Sequence, residues 1–217
     1  FTPRPKVDWP AHSAMSSHDA MMVASGITTV LDAVAIGDVR DGGDRLENLE
    51  KMVNAVEETQ KRGLNRAEHR LHLRCELPHH TTLPLFEKLV NREPVSLVSL
   101  MDHSPGQRQF ANREKYREYY QGKYSLTDAQ MREYEEEQLA LAARWSQPNR
   151  TAIAGMCRER QIALASHDDA THDHVVESHL LGSVIAEFPT TFEAAESSRR
   201  HGMNVLMGAP NIVRGGS

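Results

Sequence analysis

Ile162-Ala163-Leu164-Ala165-Ser166-His167-Asp168-Asp169 decides the fold. Small and apolar residues that read as a buried strand give way at once to a histidine and two acids. In barrel enzymes, side chains at the C-terminal ends of parallel strands converge on one mouth, where the chemistry sits. The pattern recurs twice. Leu71-His72-Leu73-Arg74-Cys75 runs into Glu76-Leu77-Pro78-His79-His80, and Val95 to Met101 runs into Asp102-His103-Ser104. Strand ends offering Glu76, His103 and His167 make a divalent metal site the first hypothesis. For Glu76 the rival reading is a structural ion pair with Arg74, two residues away on the same strand face.

Working outward, short apolar runs at 26–32, 71–76, 95–101, 162–166, 183–188 and 204–208 read as strands buried on both faces. Helical segments lie between them. Leu46, Leu49, Val53 and Val56, after Asp44, form one stripe that ends at Arg62-Gly63. Pro148 suits the first turn of a helix whose inward face is Ile153, Met156 and Cys157. Thr190 and Glu193 suit a capping box before a helix that stops near His201-Gly202. Repeated strand-then-helix order predicts an α/β fold with a parallel sheet. A (β/α)8 TIM-type barrel without its first and last strands is the leading architecture, and an open doubly wound sheet is the alternative. No Gly-x-Gly-x-x-Gly follows the first strand and no Walker loop is present, which weakens nucleotide-binding versions. Residues 104–147 break the rhythm as a helical insertion at the mouth. Ser125 and Asp128 are expected to open a polar helix there that reaches about Trp145.

Composition narrows the class. The chain has 217 residues, 39% of them hydrophobic, and a formal charge of −5. Mean hydropathy is −0.55. The charge argues against a nucleic-acid surface, and no apolar run is long enough to span a bilayer. Cys75 and Cys157 suit buried thiols in a reducing cytoplasm. At the mouth, His79 and His80 after Pro78, Arg108 and Lys115 in the insertion, and Arg214 after the last strand are candidate substrate-binding groups. Asp168 and Asp169 suit either orienting carboxylates for histidine ligands or helix caps. The loop with Asp38, Arg40 and Asp41 is a weaker metal candidate. A chain without a starting methionine that stops at Gly215-Gly216-Ser217 reads as an internal piece of a longer protein.

Asp102-His103-Ser104-Pro105-Gly106-Gln107, Ser166-His167-Asp168-Asp169-Ala170-Thr171 and Gly208-Ala209-Pro210-Asn211 closely resemble the phosphonate-utilisation branch of the amidohydrolase superfamily. The resemblance covers essentially the whole chain. It implies a (β/α)8 barrel with one or two divalent metals, zinc first and manganese or iron as alternatives. It also implies a His-x-Asp pair on the first strand, a carboxylate ligand, two further histidines and a last-strand aspartate as general base. By position Glu76 is the implied carboxylate, and His103 and His167 are the implied histidines. The His-x-Asp pair and the aspartate are expected before Phe1 and beyond Ser217, so this piece alone is expected to be inactive. The implied activity, in the carbon–phosphorus lyase pathway, is hydrolysis of a ribose methylphosphonate triphosphate to the 5-phosphate and pyrophosphate. A deaminase or cyclic amidase with the same metal centre, or a non-catalytic assembly subunit, are the alternatives. The expected partners are a phosphorylated sugar, a second copy covering open sheet edges, and other phosphonate-pathway proteins.

Overall fold

The structure is a computed structural model that describes residues 9–37, 44–209 and 213, with the side chains of 44–47 left aside. The loop holding Asp38, Arg40 and Asp41, and also Arg214 and Asn211, lie outside the described residues.

Among the described residues the chain alternates helices and strands. The order is α1 (Ala11–Ala24), β1 (Thr29–Ile36), α2 (Asp44–Lys61), β2 (Glu68–Glu76), α3 (Thr82–Leu89), β3 (Val95–Met101), α4 (Arg113–Tyr124), α5 (Asp128–Glu159), β4 (Ala163–His167), α6 (His172–Leu180), β5 (Ile185–Glu187), α7 (Phe192–Arg200) and β6 (Asn204–Leu206). A 3-10 turn, Arg108–Phe110, precedes α4. The six strands form one sheet in the order β1-β2-β3-β4-β5-β6, with every neighbouring pair parallel. That order excludes the doubly wound alternative. A doubly wound sheet reverses direction at a switch point, whereas here each crossover steps the same way. With right-handed crossovers the connecting helices then fall on one face, as in a TIM-type barrel.

Strand periodicity divides the side chains between the two faces. Leu71, Leu73 and Cys75 on β2, Val98 and Leu100 on β3, and Leu164 on β4 are buried in the main core. They pack there with Leu49 and Val53 of α2, Phe86 of α3, and Ile153 and Cys157 of α5. Both cysteines are buried free thiols, and burial pushes Cys157 up to about 12. The alternate residues of β2, His72, Arg74 and Glu76, therefore point to the face that the helices leave uncovered.

Several boundaries differ from expectation. The first strand runs to Ile36 rather than ending at Asp32, so Asp32 sits mid-strand. Gly37 then turns the chain at φ +81°, and a Cβ there would run into Thr82 Oγ1. β4 extends to His167, which is thus the last residue of its strand. α5 is one helix of 32 residues with Pro148 inside it, not two helices meeting at Ser146. Pro148 lacks an N–H, but the downstream half is held by tertiary contacts. Asn149 donates to Leu77 O at 2.8 Å and His79 O at 3.0 Å, and Ile153 and Cys157 are in the core. The N-cap of α5 is Thr127, in a capping box with Gln130, while Ser125 closes α4 at φ +53°. Thr191, not Thr190, caps α7 by accepting from Ala194 N. Among the described residues α1 and α3 lack a side-chain cap hydrogen bond, and neither is among the helices expected from the sequence. No helix among the described residues is long and apolar enough to cross a membrane.

Candidate metal centre and mouth

The uncovered face carries a chain of polar side chains that climbs toward the strand ends. His72 Nε2 donates to Ser99 Oγ at 2.5 Å, and Ser99 Oγ donates to Glu187 Oε2 at 2.5 Å. The same Glu187 oxygen accepts from His167 Nδ1 at 3.2 Å. On the other side of the mouth Glu76 holds His103 twice, accepting from its backbone N–H at 3.1 Å and from Nδ1 at 2.6 Å. Each imidazole thus gives its Nδ1 proton to a buried carboxylate and keeps Nε2 for the space between them. That is the arrangement by which metal-ligating histidines are oriented.

Asp168 completes the group. It follows β4 directly at φ +56°, a left-handed conformation that Asp tolerates better than most residues. Its backbone N–H donates to Glu187 O at 2.9 Å. The turn aims the carboxylate back at the histidines, with Oδ2 3.5 Å from His167 Nε2 and 3.9 Å from His103 Nε2. One ligand atom from each of His103, His167 and Asp168 lies within 4.8 Å of the others. Arg74 currently supplies a cation to this space, donating to His167 Nε2 at 3.0 Å. The rival Arg74–Glu76 pair is therefore not made: Glu76 pairs with His103, and Arg74 meets His167.

Burial and charge act in opposite directions here. Burial raises Glu76, but the His103 charge and hydrogen bonds outweigh it and hold the carboxyl below its usual range. Burial lowers His103, yet Glu76 and Asp168 leave it raised. Burial also raises Asp168, and here the histidines and Arg74 only partly offset it. Burial brings His72 down to about 4 despite the neighbouring Glu187. His72 is thus a neutral relay at physiological pH.

A cavity of about 270 Å³ opens beside the trio, bounded by Arg74, His103, Gln109, Tyr119, Tyr120 and Lys123. The insertion thus supplies one wall of the mouth. It is tied down by a buried charge network. Arg108 pairs with Asp169 and, at 3.1 Å, with Glu177, while Arg150 bridges Glu177 at 2.6 Å and Asp102 at 3.3 Å. Burial, with repulsion from Arg150, lowers Arg108 to about 10, so it stays cationic at neutral pH.

The structure brings Glu76, His103 and His167 together, but Glu76, expected as a ligand, gives both its oxygens to His103, and Asp168 takes its place in the group with the two histidines. It leaves the other candidates apart. Arg108 is buried and engaged with acids, so it anchors the insertion and does not present its charge to the cavity. His79 and His80 stack at 4.7 Å and border a separate cleft of about 420 Å³ against Tyr124, Gln130 and Glu137. Lys115 is exposed in the first turn of α4, and its N–H serves the Asn112 cap. Sequence reasoning missed Lys123, Glu187 and His72. Lys123 lies over the rings of Tyr119, Tyr120 and Tyr124 at 5.6, 5.5 and 5.2 Å. Its helical spacing from Tyr119 and Tyr120 is the one signal that could have found it.

Across all 217 residues the chain is 91% identical to the alpha-D-ribose 1-methylphosphonate 5-triphosphate diphosphatase of Escherichia coli (strain K12), and it spans 57% of that protein's length. No family model and no solved structure matches the chain.

Proposed function

We propose that this chain is the central part of a metal-dependent diphosphatase of the amidohydrolase superfamily. The reaction converts ribose 1-methylphosphonate 5-triphosphate to the 5-phosphate and pyrophosphate in phosphonate utilisation. One observation carries the proposal: His103, His167 and Asp168 converge beside Arg74 and Lys123 at the strand ends of a chain 91% identical to a diphosphatase for that substrate.

The residues fit a divalent ion. Two Nε2 lone pairs and a carboxylate face one another within 4.8 Å, a borderline donor set suited to zinc, with manganese or iron as alternatives. When bound, such an ion supplies Lewis-acid charge for phosphoryl oxygens. Glu76 and Glu187 fix the two imidazoles and keep their Nδ1 protons. Arg74 and Lys123 hold the polyphosphate from the cavity side, and Tyr119 and Tyr120 form the wall against which the sugar lies. Asp168, raised by burial, holds a proton more readily than an ordinary aspartate. The remaining ligands and the general base belong to the flanking parts of the complete protein. A homodimer or larger homo-oligomer in the cytoplasm is part of the same proposal, read from the molar mass in solution.

The test uses the complete polypeptide and a Glu76→Ala, His103→Ala, His167→Ala variant. Metal content per chain and pyrophosphate release should both fall in the variant. Ammonia release from amine or amide substrates, with no pyrophosphate, would point to a deaminase or cyclic amidase. Metal-free protein that releases neither product would point to an assembly subunit.

A further inference from the structure

A second histidine–aspartate group lies away from the mouth, on the face of the sheet that α1 covers. His18 comes from α1, Asp32 from the middle of β1, and His69 from β2, where the parallel register sets it opposite Val30. Asp32 receives a histidine on each oxygen, His18 Nε2 at 2.8 Å and His69 Nδ1 at 2.7 Å. The other nitrogen of His69 faces Asp19 Oδ1 at 3.4 Å. Asp19 is itself held by the backbone N–H groups of Arg66 at 3.0 Å and Ala67 at 2.9 Å, and by Arg66 Nε at 3.2 Å.

The His69 side chain has 0% exposure and a carboxylate at each ring nitrogen. A neutral imidazole has one N–H and one lone pair, so it can satisfy only one of them. As the group stands, Nδ1–H donates to Asp32 at the shorter 2.7 Å contact. An ion would displace that proton, and Asp19, locked by backbone donors, is placed to take an Nε2 proton instead, as an orienting carboxylate does for a ligating histidine. The Nδ1 lone pair would then be free for an ion beside Asp32 Oδ2, while His18 Nε2 contacts Asp32 Oδ1. One ligand atom from each of His18, Asp32 and His69 lies within 4.8 Å of the others. A cavity of about 320 Å³ bounded by Met15, His18, Asp32, Val34 and Met52 adjoins them and gives room for a fourth, water ligand.

We propose that His18, Asp32 and His69 form a second divalent-metal site of zinc type that staples α1 to β1 and β2. Tetrahedral zinc bonds of about 2.0–2.2 Å place neighbouring ligand atoms about 3.3 Å apart. The two His–Asp32 contacts, at 2.8 and 2.7 Å, need to open by only about half an ångström to reach that spacing. Such a staple would add to the few buried contacts of α1. Only Met15 and Asp19 of α1 are buried, and its N-cap makes no side-chain hydrogen bond.

The complete protein carrying His103→Ala and His167→Ala, which disables the mouth, is titrated with Co²⁺ and with Zn²⁺. The site predicts one equivalent of cobalt with the visible absorption of a four-coordinate ion, and a melting temperature that rises with zinc. Adding His18→Ala, at a half-exposed position, should remove both signals while far-UV circular dichroism stays unchanged. Asp19→Asn should weaken cobalt binding about 10–100-fold without abolishing it. Two results overturn the proposal: cobalt binding that His18→Ala leaves unchanged, or a His18→Ala loss of melting temperature equal in metal-free and zinc-loaded protein. The second would make the group a hydrogen-bonded, proton-bearing staple.

Discussion

His103, His167 and Asp168 at the strand ends, and His18, Asp32 and His69 beneath α1, are both two histidines and an aspartate with ligand atoms within 4.8 Å of one another, yet they are built for different work. The first trio opens on a cavity walled by Arg74, Lys123 and tyrosines. The second borders a cavity whose other walls are apolar, among them Met15, Val34 and Met52. On the proposed function, a cation at the first would meet incoming phosphates in a field that favours them, whereas a cation at the second would meet mainly the protein. The difference lies in where on the sheet each trio stands, not in its donors.

The sharpest break in the comparison is His167→Ala in the complete protein. Pyrophosphate release should fall about 10³-fold or more, reflecting several kcal/mol of lost charge stabilisation, with the circular dichroism spectrum unchanged. His18→Ala should act first on the melting temperature. If the two variants behaved alike, position on the sheet would not be what separates the sites.

Leu73→Ala tests the same division within one strand, between His72 and Arg74. Leu73 is fully buried against the helices, so urea unfolding should show a loss of about 2–5 kcal/mol. A loss below about 1 kcal/mol would deny that this face carries the core.

His72 should make itself felt through pH. Its value in the fold is about 4, against 6.5 ordinarily, so on acidification the unfolded chain takes up the proton first. Stability should therefore fall as pH drops from about 6.5 to 4, by about 1.4 kcal/mol for each unit. His72→Gln should flatten that stretch of the stability curve, and an unaltered slope would remove His72 as its source.

The smallest expected effect is at the mouth's rim. Lys123→Gln should raise KM for the triphosphate about 10-fold, roughly 1.4 kcal/mol, with kcat changed less. A change in kcat alone would move Lys123 from binding to the chemical step.

Much of this was legible in the residues. Alternation along Leu71 to Glu76 placed His72, Arg74 and Glu76 on one face, and the abrupt ends at His103 and His167 marked the mouth. Other features left no local trace. Pro148 read as a helix start because its missing N–H disfavours a helix interior, yet packing of Ile153 and Cys157 carries α5 through it. Arg108 read as a phosphate ligand because a loop arginine is usually exposed, and only the fold brings Asp169 and Glu177 to it.

By itself the sequence determined the alternation of strands and helices, the parallel sheet and the two histidines at the strand ends. These follow from periodicities two to four residues long and from the repeated strand-then-helix order. The tertiary structure alone decided that Glu76 serves His103 while Arg74 meets His167. It also decided that Asp168 turns back into the mouth, that Lys123 reaches the cavity, and that His18, Asp32 and His69 meet at all. Most of these contacts join residues 14 to 93 positions apart, beyond the reach of a local pattern. They exist because parallel register and one-sided crossovers carry distant side chains to the same point in space.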